Sequence, residues 1–148
     1  MKRIIVTMLA AVAMSLGLSS CEHQTMESVE FTIQPYEWVT SAGVNYYFCT
    51  VGWDELDGDV VDYGTVNAYL IKGGRQNLLP LVTPITYYNI DLDGDGIADQ
   101  DQYTIGENIR YDIEYGRITF IIEDLDGGMP LDMESTTPMT FRVVAIGD

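Results

Sequence analysis

The chain has 148 residues, of which 47% are hydrophobic and 20% are charged, and its formal net charge at pH 7 is −16. This length suits a single domain, and the hydrophobic fraction is sufficient for a packed core, which excludes a chain that is disordered throughout. All 23 acidic residues lie from Glu22 onward, and such a negative surface repels phosphate backbones, so we predict that nucleic acid is not a partner.

Residues 1–20 have the pattern of a bacterial lipoprotein signal peptide. Lys2 and Arg3 form a positively charged start. The apolar stretch Ile4–Leu18 follows, and it is too short and too rich in Ala, Ser and Gly to span a membrane readily. These features together predict export from the cytoplasm.

The end of this segment, Leu18-Ser19-Ser20-Cys21, looks like a lipobox, in which small residues precede a cysteine that receives diacylglycerol. We predict that Cys21 is lipidated and becomes the first mature residue, and that residues 21–28 are this cysteine and a polar tether. The acyl chains would anchor the protein in the cell envelope, in the outer membrane, facing either the periplasm or the exterior. The alternative is an ordinary signal peptide with an incidental cysteine. Cys49 is left without a disulfide partner and is predicted to be a small buried strand residue.

Residues 29–148 are predicted to form one all-β domain. Short β-rich runs alternate there with Gly, Pro, Asn and Asp, and Arg110–Tyr115 and Thr140–Val143 alternate with period two. The predicted strands are Val29–Gln34, Val44–Val51, Gly64–Ile71, Leu78–Thr83, Ile85–Asn89, Asn108–Tyr115, Arg117–Glu123 and Thr140–Ile146. No stretch of a dozen residues combines helical periodicity with a cap. About eight strands with short turns favour an antiparallel, Ig-like β-sandwich, with a small closed β-barrel as the alternative.

A set of short aromatic-containing segments spans most of the mature chain. They are Phe31-Thr32-Ile33, Glu37-Trp38, Tyr46-Tyr47-Phe48, Tyr63–Leu70, Leu79-Pro80, Tyr115–Phe120 and Phe141–Ile146. In this order they resemble a group of small lipoproteins from Bacteroides-type bacteria with no established activity. The resemblance implies an all-β domain on the cell envelope and carries over no catalytic residues. The stretch Asp91–Gln102 departs from the pattern expected of that group.

This departing stretch, Asp91–Gln102, contains the most specific chemical motif of the sequence, Asp-x-Asp-x-Asp-Gly. Aspartates at loop positions one, three and five place carboxylates around one point, and the glycine at position six permits the sharp turn of a calcium loop. The predicted ligands are Asp91, Asp93, Asp95, the backbone carbonyl of Ile97, Asp99 and Asp101. We predict weak, structural binding of Ca²⁺, with a dissociation constant on the order of 10⁻⁴–10⁻³ M. The alternative is a solvated acidic turn without a metal.

The loop resembles the calcium loops of EF-hands, dockerins and thrombospondin-type repeats, but it differs at position twelve. Gln102 stands where an EF-hand has a bidentate glutamate, and the flanking residues have strand or coil patterns, so an EF-hand domain is not expected. The site is expected to be incomplete or to be completed by Asp101. Two further acidic stretches, Asp54–Asp59 with Asp62 and Glu123–Gly128, lack the full spacing, and we interpret them as solvated turns.

The residue inventory favours binding or a structural role over catalysis. The only histidine, His23, lies in the predicted tether, which excludes Ser-His-Asp and Cys-His sites and most zinc sites, and we predict that the chain is not an enzyme. We predict a lipid-anchored, non-catalytic envelope domain with a structural calcium loop, whose partner is a glycan or an envelope protein. The first alternative is a carbohydrate-binding or adhesion module that uses exposed aromatic residues; the candidates are Trp38, Trp53, Tyr87 and Tyr88. The third interpretation is a glycoside hydrolase with paired carboxylates.

Overall fold

The computed structural model describes residues 25–147, which fold into eight strands arranged as two four-stranded antiparallel sheets. The first sheet has the order β1 (Thr25–Ile33), β8 (Met139–Gly147), β3 (Thr65–Lys72) and β4 (Arg75–Leu78). The second has the order β2 (Tyr46–Gly52), β7 (Arg117–Asp124), β6 (Gln100–Glu114) and β5 (Leu81–Ile90). The predicted antiparallel β-sandwich is confirmed, and the two sheets do not close into a barrel. The predicted signal peptide, residues 1–20, and Cys21 lie outside the described residues.

The core lies between the inward faces of the two sheets. Phe120 on β7 and Phe141 on β8 stack across the sandwich, with ring centroids 4.2 Å apart and an interplanar angle of 23°. Trp38 packs edge-on against Phe141 at 6.2 Å, and Phe31 of β1 packs edge-on against Phe120 at 6.4 Å. Aromatic pairs of this kind contribute about 0.5–1.5 kcal/mol beyond the burial of their area, so the cluster ties the two sheets together.

The period-two pattern of the sequence explains which side chains enter this core. The inward cross-strand pairs of β6 and β7 are Ile109–Ile122, Tyr111–Phe120 and Ile113–Ile118. Cys49 of β2 lies opposite Phe120 and is buried, as predicted, and burial raises the pKa of its thiol. A buried, protonated thiol is a poor nucleophile, so Cys49 acts as a small core residue.

Two strands begin at least four residues earlier than predicted because pairing with a neighbour extends past the local sequence pattern. β1 begins at Thr25 rather than Val29, since residues 25–28, which we expected in the tether, pair with β8. β6 begins at Gln100 rather than Asn108, since Gln100 and Gln102 pair with β5. The last residues of the predicted calcium loop are therefore part of a strand.

β5 joins what the sequence predicted as two strands, Leu78–Thr83 and Ile85–Asn89. Pro84 lies in its interior, opposite Gly106 of β6. A proline donates no ladder hydrogen bond, but β5 is the outermost strand of its sheet, where the missing donor costs little. The short strand β4 is absent from the prediction and pairs with β3 after the turn at Gly73 and Gly74.

The described residues also contain one α-helix, α1 (Gly58–Tyr63), and two 3₁₀ turns, η1 (Pro35–Glu37) and η2 (Met133–Ser135). Asp57 caps α1, because its Oδ1 accepts hydrogen bonds from the backbone N–H groups of Asp59 and Val60, each at 3.1 Å. The interpretation of Asp54–Asp59 as a solvated turn was therefore wrong for its second half, where a six-residue helix is too short to show periodicity. Among residues 25–147, no helix has the length and apolarity needed to cross a membrane.

Candidate metal centre and adjacent groove

The predicted calcium loop connects β5 to β6. Strand pairing places Ile90 opposite Gln100 and Tyr88 opposite Gln102. The backbone N–H of Asp99 donates to the carbonyl of Ile90 at 2.8 Å and closes the base of the loop. Residues 91–99 therefore form a loop whose two ends are held by the sheet, which restricts the positions of its side chains.

Two glycines allow this loop to turn back on itself. Gly94 and Gly96 have φ angles of 78° and 83°, in the left-handed region that favours glycine over residues with a Cβ. Gly96 is position six of the Asp-x-Asp-x-Asp-Gly motif. The structure thus has its sharp turn where the calcium-loop motif places it.

Three of the predicted ligands converge. Asp91, Asp93 and Asp99 each offer one carboxylate oxygen, and these oxygens lie within 4.8 Å of one another. All three side chains are exposed to solvent. Because three carboxylates share one point and face water, this group could hold a metal ion.

The other two predicted carboxylate ligands, Asp95 and Asp101, lie outside this group of three. Asp101 is already part of β6. Oδ1 of Asp95 accepts a hydrogen bond from the backbone N–H of Ile97 at 2.8 Å, so this carboxylate supports the backbone of the loop itself. The side chain of Ile97 is exposed and makes no contribution to the core.

Backbone amides point at the converging carboxylates. Asp91 accepts hydrogen bonds from Gly94 N–H at 2.6 Å and Gly96 N–H at 2.7 Å, and Asp99 accepts one from Leu92 N–H at 2.8 Å. The hydrogen bond from Gly96 is the main cause that lowers the pKa of Asp91 below its ordinary value of 3.8. None of the ion pairs among the described residues involves these aspartates, so the loop amides stabilise their charge.

Three of the four aromatic residues that we predicted as sugar-stacking candidates are buried, and the prediction is wrong for them. Trp38 packs against Phe141, and Trp53 and Tyr87 are also part of the core. Aromatic rings bury more apolar area than any other side chain, which favours their inclusion in a small core. Tyr88, in contrast, is 41% exposed.

Tyr88 lies on a groove between β3, β5 and the segment that leads into β8. One part of this groove is a cleft of about 260 Å³, with Leu70, Ile85 and Ile109 at its apolar side. A more polar hollow adjoins the cleft, and Tyr88 and Thr136 line both. The hollow is also lined by Asn89, Asp132, Glu134 and Ser135. The sequence contains no signal for this groove, because its two sides are far apart in the chain.

The structure also reveals a buried carboxyl group that the sequence analysis missed. Glu107 of β6 is fully buried, and its Oε1 accepts a hydrogen bond from the Tyr87 hydroxyl at 3.1 Å. Burial raises the pKa of Glu107 to about 7, although the hydrogen bond from Tyr87 lowers it; the charge of Asp124 adds a smaller upward contribution. Strand alternation could have revealed it, since Glu107 shares a face of β6 with Ile109 and Tyr111. Glu107 lines neither the cleft nor the hollow, so it is not placed to act as the general acid of a hydrolase there.

In the metal-free protein, we expect the Asp91 carboxyl group to titrate below pH 3.8, because the amides of Gly94 and Gly96 favour its ionised form. A group with a lowered pKa stabilises the folded loop above its ordinary pKa, and this contribution is lost as the pH falls through the lowered value. The measurement is a pH titration of the side-chain carboxyl ¹³C resonance in EDTA, with the two glycine amide shifts followed in parallel. Asp91→Asn should remove the acid-induced change in those amide shifts. A titration of Asp91 at or above 3.8 would contradict this account of the loop.

No protein family, curated protein or solved structure matches this chain significantly. The resemblance to lipoproteins of Bacteroides-type bacteria therefore stays a prediction, as does the envelope location. What the chain does must be inferred from its own loop, groove and N-terminal sequence.

Proposed function

We propose that this protein is a non-catalytic β-sandwich of the bacterial cell envelope, anchored by lipid at Cys21 and stabilised by Ca²⁺ bound in the β5–β6 loop. The observation that carries the calcium proposal is the convergence of Asp91, Asp93 and Asp99, whose carboxylate oxygens lie within 4.8 Å of one another. These residues belong to an Asp-x-Asp-x-Asp-Gly loop, so spacing and geometry point to the same chemistry.

The chemistry of the loop suits Ca²⁺ better than Mg²⁺. Ca²⁺ takes about six to eight oxygen ligands in a flexible geometry, whereas Mg²⁺ requires a near-ideal octahedron and keeps several of its waters. The three converging carboxylates supply part of such a set. The candidate sources of the remaining oxygens are water, the carbonyl of Ile97 and rotated side chains of Asp95 and Asp101. Because much of the ligand set is solvent, we expect a dissociation constant on the order of 10⁻⁴–10⁻³ M.

Bound Ca²⁺ would act as a structural cross-link in this loop. The like charges of the three aspartates repel one another, and a cation between them removes that repulsion. The loop is joined to the sheet through the pairing of Ile90 with Gln100. Calcium would therefore stabilise the end of the β5–β6 hairpin, next to the exposed ring of Tyr88.

Ca²⁺ is expected to raise the melting temperature of the full chain by a few degrees, and Mg²⁺ at the same concentration is expected to raise it less. At about five times the dissociation constant, binding to the folded state alone adds about 1 kcal/mol to the free energy of unfolding. Asp93→Asn removes one charge but keeps an acceptor oxygen for the Asp95 amide, and it should abolish most of this gain. Thermal melts in CaCl₂, MgCl₂ and EDTA measure the effect.

The matched control is Asp54→Asn, because Asp54 is exposed, lies outside the loop, and changes the net charge by the same amount. Its calcium response should equal that of the wild type. Asp101→Asn tests whether Asp101 completes the site or whether the remaining oxygens come from other sources. If the variant loses the rise in melting temperature with Ca²⁺, Asp101 is a ligand; if the rise is unchanged, Asp101 is not a ligand. Equal wild-type melting temperatures in CaCl₂ and EDTA would overturn the calcium proposal.

The proposed anchor rests on the lipobox-like sequence that ends at Cys21. We expect the full chain, expressed in a bacterium with an outer membrane, to be processed at Cys21 and to fractionate with membranes until detergent is added, because acyl chains partition into the bilayer. Cys21→Ser should lose the acyl mass and leave the lipid-modified fraction. Mass spectrometry of the N-terminal peptide measures the cleavage site and the acyl mass, and immunoblotting of the membrane and soluble fractions measures the partition into membranes. Cys49→Ala is the control, since its thiol is buried and lipidation should be unaffected; an unmodified Cys21 in the wild type would refute the anchor.

A second candidate function is the binding of a neutral glycan in the groove, which the position of Tyr88 favours. Its exposed ring lies where the cleft meets the polar hollow and offers a surface on which a sugar ring can stack. Asn89, Asp132 and Glu134 supply amide and carboxylate groups beside it for sugar hydroxyls. The net charge of −16 disfavours acidic ligands and has little effect on neutral ones.

If the groove binds a glycan, Tyr88→Ala is expected to weaken that binding about tenfold, which corresponds to the loss of about 1.4 kcal/mol of stacking energy. Tyr63→Ala is the matched control, because Tyr63 is 79% exposed on α1 and lies outside the groove. An array of neutral oligosaccharides identifies a ligand, and calorimetric titration of wild type and variants measures its affinity. An array without any binder, or equal affinities for the two variants, would reject the glycan site and leave the calcium proposal untouched.

A further inference from the structure

Glu107 occupies an inward position of β6, where the strand pattern favours an apolar residue. Its side chain is fully buried; Oε1 accepts the hydrogen bond from the Tyr87 hydroxyl at 3.1 Å, and Oε2 has no hydrogen-bond partner among residues 25–147. A buried carboxyl group with an unpaired oxygen is far more costly when charged than when protonated. The site therefore favours the protonated form of Glu107.

The groups that surround Glu107 are acidic or phenolic. Strand register places Asp124 of β7 opposite it on one side and Thr83 of β5 on the other. Tyr87 on β5 and Asp124 on β7 act directly on the charge of Glu107. Other titratable residues on the elements packed at this end of the sandwich include Tyr47 on β2, Asp132 and Glu134 at η2, and Glu37 on η1. Lys72 of β3 reaches Thr83, but its ammonium donates to the Thr83 hydroxyl at 3.2 Å and to the Pro84 carbonyl at 2.7 Å. No ion pair among the described residues would balance a charge on Glu107.

Residues 125–138, which connect β7 to β8, cross this end of the sandwich, and we call them the closing segment. Within this segment, η2 packs against β5 and η1, and Met133 is only 1% exposed. The sulfur of Met133 lies 3.9 Å from the Tyr87 hydroxyl. Tyr87 thus contacts both Glu107 and the closing segment.

We propose that Glu107 and Tyr87 form a pH-sensitive latch that holds the closing segment over the end of the sandwich. When the Glu107 carboxyl is protonated, it is neutral, accepts the hydrogen bond of Tyr87 and tolerates burial. When it is ionised, the hydrogen bond from Tyr87 favours the carboxylate, but burial and the charge of Asp124 outweigh it. Lifting of the closing segment, which contacts Tyr87 through Met133, admits water to the carboxylate. In the closed state, the closing segment covers this end of the sandwich, and in the open state it has lifted away. The latch therefore favours the closed state in mild acid.

The burial of Glu107 determines whether opening of the closing segment rises or falls with pH, and over which pH range. In the closed state, burial raises the pKa of Glu107 from its ordinary 4.5 to about 7; the hydrogen bond from Tyr87 lowers this pKa and the charge of Asp124 raises it, and both effects are smaller than that of burial. Opening returns the carboxyl group to water and to its ordinary pKa. The closed state therefore holds its proton more tightly, and the opening equilibrium rises about tenfold for each pH unit between roughly 4.5 and 7, then levels off. Tyr87 stays protonated throughout this range, because burial, with Glu107 beside it, raises its pKa.

The closing segment also forms one wall of the groove. Asp132, Glu134, Ser135 and Thr136 line the polar hollow, and Thr136 to Pro138 line part of the cleft. Opening of the segment would remove this wall. A ligand held in the groove would then be retained in mild acid and released as the pH approaches 7.

Hydrogen exchange of the full chain, measured by mass spectrometry in detergent between pH 5 and 8 at constant Ca²⁺, tests the latch. After correction for the intrinsic pH dependence of exchange, protection of the closing segment should fall about tenfold per unit up to pH 7 and then become constant. Glu107→Gln should make this protection independent of pH. Glu55→Gln is the matched control, since Glu55 is exposed and outside this cluster, and it should retain the wild-type profile.

Several outcomes would overturn the proposal. One is closing-segment protection in the wild type that does not depend on pH; another is a pH dependence that survives in Glu107→Gln. A third is an equal response in the amides of β8, which would assign Glu107 to global stability instead of a local latch. If Glu107→Gln fails to fold, the carboxyl ¹³C resonance of Glu107 in the wild type decides: titration near 7 supports the latch, and titration near 4.5 refutes it.

Discussion

Phe120 and Phe141 stack between the two sheets with their ring centroids 4.2 Å apart, and the rest of the structure depends on keeping this contact free of water. The two sheets do not close into a barrel, so no strand pairing joins them, and packing of side chains together with the connecting segments holds them against each other. Strand alternation delivers apolar residues to both inward faces, and the connections between strands must cover the open ends. Leu56, just before α1, and Met133, in the closing segment, are buried for this reason.

A chain with a net charge of −16 has to distribute its carboxylates around this core. Most lie on exposed turns, where water and backbone amides stabilise them. Asp57 caps α1, Asp132 caps η2, and Asp91 accepts two amides of its own loop, so the same local interaction recurs at three turns. Glu107 is different, because it lies inside the sandwich with one oxygen unpaired. Burial favours its protonated form, and the proposed latch links the packing of one end of the sandwich to pH in this way.

The β5–β6 loop illustrates how far a local motif can predict a site. The spacing of Asp91, Asp93 and Gly96 predicted a sharp turn with converging carboxylates, and both features depend only on residues close together in the chain. The full ligand set depends on more than the motif. β6 begins at Gln100 because it pairs with β5, and this pairing makes Asp101 a strand residue outside the group of three.

The sequence by itself determined the all-β class, the buried position of Cys49 and the acidic loop, because alternation and turn residues act over a few positions. Only the tertiary structure decided that Trp38, Trp53 and Tyr87 are buried while Tyr88 is exposed, since similar rings differ only in what packs over them. It also decided that β5 continues through Pro84, because an edge position is a property of the sheet and not of the strand. The groove and the burial of Glu107 against Tyr87 arise in the same way. Both require contacts between residues that are distant in the chain, and no local pattern encodes those contacts.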